Sequence, residues 1–517
     1  MDHLIKRKRE EVYMREAFGK KVVLGVSSLL TFSILVACNN SASDPVDSEG
    51  HSASDDPLNI QMFAGLYNEL PEMDNEFWTE WQEQTNTQLD IEWVPSGDLD
   101  TKMDLVLASG DLPEVLSAPN TRPPLINAIK NGAFWELSEF LGDYSDYPNL
   151  KNNLAEDWQK YLSVDGELYG LPRSRSRMDI GVKIRKDWLD ELDIPVPTTI
   201  DEYHDALKQI VEEDPAGSDT LGLIGHGTIV ADGTDAFAAA FGALEPHFND
   251  EDGLVPKHLT PMYTDMVEWF RELYADGLLA QEFSVMKLTQ AEELYKSGRA
   301  ASYARSIWWD KEYEDAISRT QDDPEIVNLA LEGPGGVGVN LATGVSGGYF
   351  ISKKVPEEKV IKILDYLEHT ASEEITDLAY YGIEGVHHEI EDGQKVLNEL
   401  GENQINTTSK GAGVLAYAKW GKVESASGSK EYNDNKKQQV EHFDEIGTID
   451  PMTGLHSDKW LTEWAKHTNE WDTMVTRVIV GQISMDEYKD YIESITESPV
   501  MMEAFAELGD EYRVFNQ

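Results

Sequence analysis

Three arginines lie within five residues of a chain that is otherwise strongly acidic. Arg173, Arg175 and Arg177 follow Pro172, whereas the whole chain has 43 Lys and Arg against 96 Asp and Glu. A guanidinium is a planar fork that binds a carboxylate or a pair of neighbouring hydroxyl groups. The cluster therefore predicts either contacts with a ligand of that chemistry or salt bridges between two parts of the fold.

Aromatic residues give a second set of candidates, because flat ring faces stack on sugar rings while charged groups bind the sugar hydroxyls. The chain has 13 Trp and 21 Tyr. Phe63 and Tyr67 come just past the first predicted strand, and Tyr381, Glu384 and Trp420 are weaker candidates further along the chain. These residue types favour a site for a carbohydrate.

Sequence motifs for catalysis do not occur in this chain. No segment has the pattern of a nucleophile elbow or of a zinc-binding histidine pair. The single cysteine, Cys38, lies at the end of an N-terminal apolar stretch, where it is placed for lipid attachment. We therefore predict binding without chemistry and without a cofactor. The alternative is a secreted, lipid-anchored glycoside hydrolase, which needs two carboxylates across a cleft.

The charge of the chain excludes one class of partner. The formal net charge is −53, whereas nucleic-acid binding depends on Lys and Arg side chains that neutralise phosphates. Such acidity is typical of a solvated surface that keeps a protein soluble. Because 40% of the residues are hydrophobic, the chain can also build large cores.

The N-terminus has the pattern of an exported lipoprotein. Basic residues precede an apolar stretch over residues 22–36, which is followed by Ala, then Cys38 and a polar run. Basic, apolar and then small residues are typical of a secretory signal, and the ending resembles the bacterial lipobox. We predict a lipoprotein signal peptide over residues 1–37, a lipid on Cys38 and a disordered tether over residues 38–56. A transmembrane helix with a buried cysteine is the alternative.

The start codon affects only the length of this signal. Translation from Met14 instead of Met1 would give a signal of more ordinary length. With either start, acyl chains on the cysteine would hold the mature chain on the extracellular face of the cell membrane.

Short apolar runs alternate with amphipathic stretches along the chain, and this alternation predicts an α/β fold with largely parallel sheets. The predicted strands are Leu58–Phe63, Leu89–Val94 and a third that starts near Leu112–Leu116. The predicted helices are Asp74–Gln84, Asp98–Ala108, Pro261–Ala275, Thr289–Ser297, Pro356–Thr370 and Ser372–Tyr381. Because ligands bind outside the carboxyl ends of parallel strands, two such lobes would enclose a cleft that closes about a hinge.

Seven segments carry a resemblance to a known family, and they occur in the family's order. They are Ser109–Val115, Asn131–Leu137, Asp165–Pro172, Ile184–Leu189, Pro195–Tyr203, Tyr274–Leu279 and Tyr381–Gly385. These segments resemble the family-1 extracellular solute-binding proteins, in particular the large lipoprotein branch that serves oligosaccharide importers in Gram-positive bacteria. Most of them are scaffold, such as glycine turns and a helix cap at Thr199 or Asp201.

The resemblance implies a two-lobed, periplasmic-binding-protein-like α/β fold with a ligand cleft between the lobes and hinge crossovers. One lobe would contain residues 57–172 and about 343–385. The other would contain residues 173–342 and about 386–517.

The resemblance also bears on two possible ligand sites. Relatives carry cleft aromatics after the segment that matches Gly298–Ala301, so Trp308 and Trp309 are candidates, one for stacking on a ligand and the other for the core. Many relatives also have a calcium loop. Here the corresponding stretch, Asp214 to Asp219, is shortened and lacks a central Asn-Gly, so we predict a plain loop without a metal.

The function that the resemblance implies is extracellular capture of a carbohydrate, which a monomeric chain delivers to the permease subunits of an ABC importer. An oligosaccharide is the expected ligand, and the arginines allow a sugar that bears a uronate. A sugar sensor that docks on a membrane histidine kinase is a further alternative with the same fold.

Overall fold

A computed structural model of the chain describes residues 56–66, 70–119, 121–154, 157–217, 219–227, 233–391, 393–405, 423, 425, 427–455 and 457–516. The predicted signal peptide, Cys38 and all of the predicted tether except its last residue lie outside these ranges, as do Tyr67 and Trp420. Within the described ranges, no helix combines the length and the apolar character needed to cross a bilayer.

The strands are numbered here in chain order. They are β1 (Leu58–Leu66), β2 (Thr87–Pro95), β3 (Val115–Ala118), β4 (Ser163–Val164), β5 (Glu167–Leu168), β6 (Gly170–Ser174), β7 (Ile180–Arg185), β8 (Leu221–Ile224), β9 (His247–Phe248), β10 (Leu254–Val255), β11 (Ala300–Ser306), β12 (Ile326–Leu329), β13 (Leu331–Gly333), β14 (Gly336–Gly338), β15 (Asn340–Leu341), β16 (Val345–Ile351), β17 (His388–Glu391), β18 (Gln394–Leu397) and β19 (Thr448–Ile449).

The α-helices are numbered in the same way. They are α1 (Glu76–Gln84), α2 (Leu99–Ser109), α3 (Pro123–Lys130), α4 (Ser138–Leu141), α5 (Pro148–Asn153), α6 (Lys186–Glu191), α7 (Ile200–Glu213), α8 (Gly233–Ala238), α9 (Pro261–Ala275), α10 (Leu288–Lys296), α11 (Asp310–Ile317), α12 (Glu357–Thr370), α13 (Glu373–Tyr381), α14 (Glu399–Gln404), α15 (Lys430–Ile446), α16 (Asp458–Trp464), α17 (Thr468–Ile479), α18 (Met485–Thr496) and α19 (Pro499–Phe515).

The first large sheet has the strand order β2-β1-β3-β16-β6. β1 runs parallel to β2 and to β3, while β16 runs antiparallel to both β3 and β6. Every residue of β1 from Met62 to Leu66 is buried, which is typical of a strand whose two faces are both covered. β6 consequently points in the same direction as β1 and β3, so the carboxyl ends of these three strands share one edge of the sheet.

The second large sheet has the order β12-β7-β11-β8. β11 runs parallel to β8, and β7 runs antiparallel to both β11 and β12. α7 is fixed to this sheet by Tyr203, whose hydroxyl lies 2.7 Å from the hydroxyl of Ser302 in β11. Thr199 caps the start of α7, where its hydroxyl accepts a hydrogen bond from the backbone N–H of Glu202 at 3.1 Å.

Two chain segments, here called the crossovers, lie side by side and connect the two large sheets. The first crossover, residues 174–180, leaves β6 and enters β7, and the second, residues 341–345, leads into β16. They are joined by a hydrogen bond from the backbone N–H of Arg175 to the carbonyl of Gly344 at 3.0 Å. Each crossover starts or ends at the carboxyl edge of a sheet, so both carboxyl edges lie toward the crossovers.

Each large sheet packs into its own hydrophobic core. In the first lobe, Phe77, Trp78 and Trp81 of α1 pack into a core that also contains β1 and β16. In the second lobe, Trp188 and Phe270 belong to a separate core around β7 and β11. Burial of one such side chain contributes on the order of 1.5–3 kcal/mol. Two independent cores of this kind allow the two lobes to keep their shapes if their mutual orientation changes.

A smaller core lies at the crossovers. It contains the buried side chains of Met178, Ile307, Leu341, Val440 and Phe443. The first and third of these residues come from the two crossovers, and the last two come from α15. α15 is thereby packed against the connection between the lobes.

The segment after α13 differs from the sequence prediction, which assigned residues from about 386 onward to the second lobe. Ile405 is buried in the core of the first lobe. Gln404 donates a hydrogen bond from Nε2 to Glu76 of α1 at 3.1 Å. The described residues 388–405 therefore pack with the first lobe, because that is where the apolar side chain of Ile405 is removed from water.

Candidate functional site

The carboxyl edges of the two sheets place a small set of side chains beside the crossovers. β6 ends at Ser174 in the first lobe, and β11 ends at Ser306 in the second lobe. Ser306 pairs with Ile180, which is the last residue of the first crossover and the first residue of β7. Because ligands of α/β sheets bind at such edges, the candidate site comprises the end of β6, the two crossovers and the turn after β11.

Arg173 is the most deeply buried of the three predicted arginines. It lies one residue before the end of β6 and is only 2% exposed. Its Nε atom has no hydrogen-bond partner among the described residues. A buried N–H group without an acceptor is costly, so this side chain is a stronger candidate for ligand contact than its sequence position alone indicated.

Arg175 and Arg177 lie within the first crossover, and both are half-buried. The Nε of Arg177 lies 3.3 Å from Oδ1 of Asp444 in α15. The carbonyl of Arg177 also accepts a hydrogen bond from the backbone N–H of Ala342 in the second crossover at 2.7 Å. For Arg177, the structure therefore shows the salt-bridge alternative. Asp444, far along the chain, was missed because no sequence signal connects it with Arg177.

Trp308 and Trp309 form a short turn directly after β11. Trp308 packs against the small core at the crossovers, whereas Trp309 is 43% exposed. Only Trp309 thus presents much of its ring to solvent, and its stacking on a ligand stays a prediction.

A buried charge network, here called the Asp310 network, fixes this turn from behind. The carboxylate of Asp310 accepts hydrogen bonds from Lys183 of β7, from Lys436 of α15 and from the amide of Asn328 in β12. All four side chains are buried. Burial alone would raise the pKa of Asp310, but the two ammonium groups hold it below its usual value.

The Asp310 network was not predicted from the sequence, although Asp310 had one local signal. Asp310 directly follows the Trp-Trp pair and starts α11, and an acidic residue is common in the first turn of a helix. From the sequence alone, Asp310 would be interpreted as a solvent-exposed residue that stabilises the start of α11. Burial beneath the turn depends instead on strand β7 and helix α15, which are distant in the sequence.

A cavity of 220 Å³ lies beside the crossovers and has walls from both lobes. Lys160 and Tyr161 line it from the first lobe, and Asp450, Tyr512 and Phe515 line it from the second. The rings of Tyr161 and Phe515 are 5.7 Å apart. Burial raises the pKa of Tyr161, although the nearby charge of Arg177 opposes this. The cavity therefore has aromatic and charged walls next to the arginine cluster.

The placement of Phe63 just past the first strand is wrong. β1 continues to Leu66, and Phe63 is a 1% exposed member of the first core. The strand is longer than predicted because the apolar run continues through Ala64 to Leu66. Tyr67 follows this strand but lies outside the described residues.

Tyr381 and Glu384 lie at the end of α13 and in the turn that leads to the β17–β18 hairpin. The Nζ of Lys395 lies 5.0 Å from the ring centroid of Tyr381. Glu384 is exposed and forms a β-bridge with His388. The described contacts of this pair are thus with the hairpin, and they do not join it to the arginines of the crossover.

The stretch after α7, which the sequence predicted to be a plain loop, is held together by hydrogen bonds to Asp214. The carboxylate of Asp214 accepts hydrogen bonds from the backbone N–H and the hydroxyl of Thr220, at 2.8 and 2.6 Å. Asp219 has a positive φ of 57°. Within the described part of the chain, no three His, Cys, Asp or Glu side chains are grouped to hold a metal.

The chain also matches a known family model. The model described as bacterial extracellular solute-binding protein matches residues 67–374. The chain is 30% identical over 376 residues to the polygalacturonan/rhamnogalacturonan-binding protein YtcQ of Bacillus subtilis (strain 168), covering 71% of this chain and 74% of that protein. It is 28% identical over 471 residues to the lipoprotein LipO of the same organism, covering 86% and 90%.

Solved structures give the same architecture. The alginate-binding protein AlgQ2 without calcium ion superposes with a TM-score of 0.65 at 15% identity, over 89% of this chain and 99% of that chain. The substrate-binding protein FusA of S. pneumoniae in complex with kestose superposes with a TM-score of 0.58 at 17% identity, over 89% and 100%. These likenesses confirm the predicted two-lobed α/β fold, and the names are those of binding proteins rather than enzymes.

Proposed function

Because the chain belongs to the bacterial extracellular solute-binding proteins, we propose that it captures an oligosaccharide between its two lobes and delivers it, unchanged, to an ABC importer. The observation that carries this proposal is the placement of the arginine cluster and Trp309 where both carboxyl edges meet the crossovers. Closure about the crossovers would enclose a polar ligand and exclude water from it. Binding and release then need no reactive group.

The names of the relatives support a saccharide but do not determine its charge. YtcQ is named for polygalacturonan and rhamnogalacturonan, which contain uronic acids, whereas FusA is named for fructooligosaccharides, which are neutral. The cavity with walls from both lobes supports a ligand that contacts both of them.

The binding step is tested with the full-length chain and a panel of galacturonan, rhamnogalacturonan, alginate and fructan oligosaccharides. A ligand that binds only the folded chain raises its melting temperature, so at least one member of the panel is expected to do so. Each mixture is then examined by mass spectrometry after prolonged incubation. Recovery of the bound saccharide intact supports capture, whereas cleavage would establish the glycoside hydrolase alternative instead.

The anchoring step is a separate part of the proposal. The chain is held by a lipid on Cys38 at the extracellular face of the cell membrane, and it works there as a monomer. The family is extracellular and a relative is named as a lipoprotein. Cys38→Ser is expected to release the chain from the membrane fraction into the medium, while Ser41→Ala, a neighbouring substitution, leaves it attached. Retention of both variants on the membrane would contradict lipid anchoring.

A further inference from the structure

Four cationic side chains are buried among the residues that the structure describes, and three of them have acidic partners. Lys183 and Lys436 both bind Asp310, and Arg185 binds Asp187. The fourth is Arg173, which is 2% exposed and forms no ion pair with a described residue. Arg173, the side chain without such a partner, lies at the carboxyl edge of the first sheet.

The lack of an acidic partner for Arg173 is significant because the chain is rich in carboxylates. With 96 Asp and Glu residues, a carboxylate for Arg173 could have come from many positions. An arginine cannot lose its proton to escape the cost of burial, and an uncompensated buried charge is strongly destabilising. A partner that arrives from outside the chain removes this cost, and the edge of the sheet is where ligands of such folds arrive.

We propose that Arg173 receives a carboxylate of the captured saccharide, so that the ligand is an acidic, uronate-bearing oligosaccharide. This inference rests on the proposed function and specifies its substrate class. A planar guanidinium and a planar carboxylate form two parallel hydrogen bonds. Arg175 follows two residues later in the first crossover, whereas the charge of Arg177 is paired with Asp444.

The overall charge of the chain strengthens the argument. A net charge of −53 repels an anionic ligand at long range. An acidic saccharide would therefore need a local cationic group to offset this repulsion, and the guanidinium of Arg173 at the end of β6 is such a group. The hydroxyls of a neutral saccharide could accept hydrogen bonds from the guanidinium, but they would leave its positive charge uncompensated.

The first experiment compares ligands on the unaltered full-length chain by isothermal titration calorimetry. The acidic probes are trigalacturonate and trimannuronate, the matched neutral probes are their fully methyl-esterified forms, and kestose is an unrelated neutral probe. At least one acid is expected to bind on the order of 10- to 100-fold more tightly than its ester. Equal or tighter binding of the esters or of kestose would overturn the inference and leave capture of an oligosaccharide standing.

The second experiment assigns the preference to Arg173. Arg173→Met is expected to lose most of the preference for the acid over its ester, and Arg173→Lys, which keeps the charge but not the fork, to retain part of it. Arg477→Met makes the same chemical change on α17, which packs against α9 and α18 and away from the crossovers, and is expected to keep the full preference. The melting temperature of each variant is measured to check that the variant is folded.

The outcomes separate the two proposals. An unchanged acid-to-ester ratio in folded Arg173→Met would show that another group binds the carboxylate, and the inference for Arg173 would be wrong. If no member of the saccharide panel binds the unaltered chain, the proposed function itself fails, whatever the variants do.

Discussion

The buried positive charges of the two lobes differ in how they are compensated. In the second lobe, Lys183 and Lys436 are held by the carboxylate of Asp310 behind the turn that carries Trp309. In the first lobe, Arg173 is as deeply buried but has no acidic side chain to bind among the described residues. Both positions flank the candidate site, so burial alone does not distinguish them.

The comparison indicates how to separate structural charges from ligand-binding ones. A compensated network fixes the relative positions of its members, and the Asp310 network connects β7, β12, α11 and α15 in this way. An uncompensated cation at a ligand-binding edge stabilises nothing until a partner arrives. Substitutions at Asp310 and at Arg173 should therefore differ in their effect on stability.

The largest effect is expected for Asp310→Ala. This substitution leaves two buried ammonium groups without a carboxylate, and breaking a buried pair in this way typically costs about 3–5 kcal/mol. The free energy of unfolding, measured by urea denaturation, is expected to fall by that amount.

Asp315→Ala is the matched control on the same helix. Asp315 is half-buried and pairs with Lys311 one turn away, and such a helix pair contributes only about 0.3–0.5 kcal/mol. Similar losses for the two variants would mean that the Asp310 network carries no special structural role.

A smaller effect concerns a half-buried histidine that can lose its charge. His258 lies against the rings of Trp460, Trp464 and Trp471, at centroid distances of 5.7, 4.3 and 5.2 Å. Burial, with the nearby charge of Lys257, lowers the pKa of His258 from 6.5 to about 3. This histidine therefore stays neutral in the folded chain. Arg173 cannot avoid the cost of burial in this way, because arginine keeps its charge.

The sign of the resulting pH dependence follows from linkage. Below pH 6.5 the unfolded chain binds a proton at this position while the folded chain does not, so acid favours unfolding. The free energy of unfolding is expected to fall by on the order of 2–3 kcal/mol between pH 7 and pH 4 through this residue. His258→Phe should flatten that part of the profile, while His442→Gln, at an exposed position, should not. Parallel profiles for the unaltered chain and His258→Phe would contradict the assignment.

The fold was largely predictable because its elements have local signatures. The helix Pro261–Ala275 was predicted at its observed bounds, since Pro261 follows the cap Thr260 and Gly277 follows its end. The helix Glu357–Thr370 differed by one residue at its start. Lobe membership after α13 was not predictable, because the burial of Ile405 in the first core depends on contacts between residues far apart in the sequence.

The candidate site was predictable only in part for the same physical reason. The arginine cluster stood out by composition, but its three members look alike in sequence, and only tertiary contacts separate Arg177, which binds Asp444, from Arg173. Phe63 was misplaced because a strand end cannot be located within an uninterrupted apolar run. Asp444 and Asp310 were missed because their partners come from other elements.

The smallest expected effect on stability is also the one that tests the comparison most directly. Arg173→Met replaces an uncompensated buried charge with an apolar side chain of similar length, so the free energy of unfolding without ligand should stay unchanged or rise by about 1 kcal/mol. The acidic probe that binds the unaltered chain should then raise its melting temperature more than that of the variant, since a tighter ligand stabilises the folded chain more. A loss of several kcal/mol in the absence of ligand would instead give Arg173 the same structural role as Lys183.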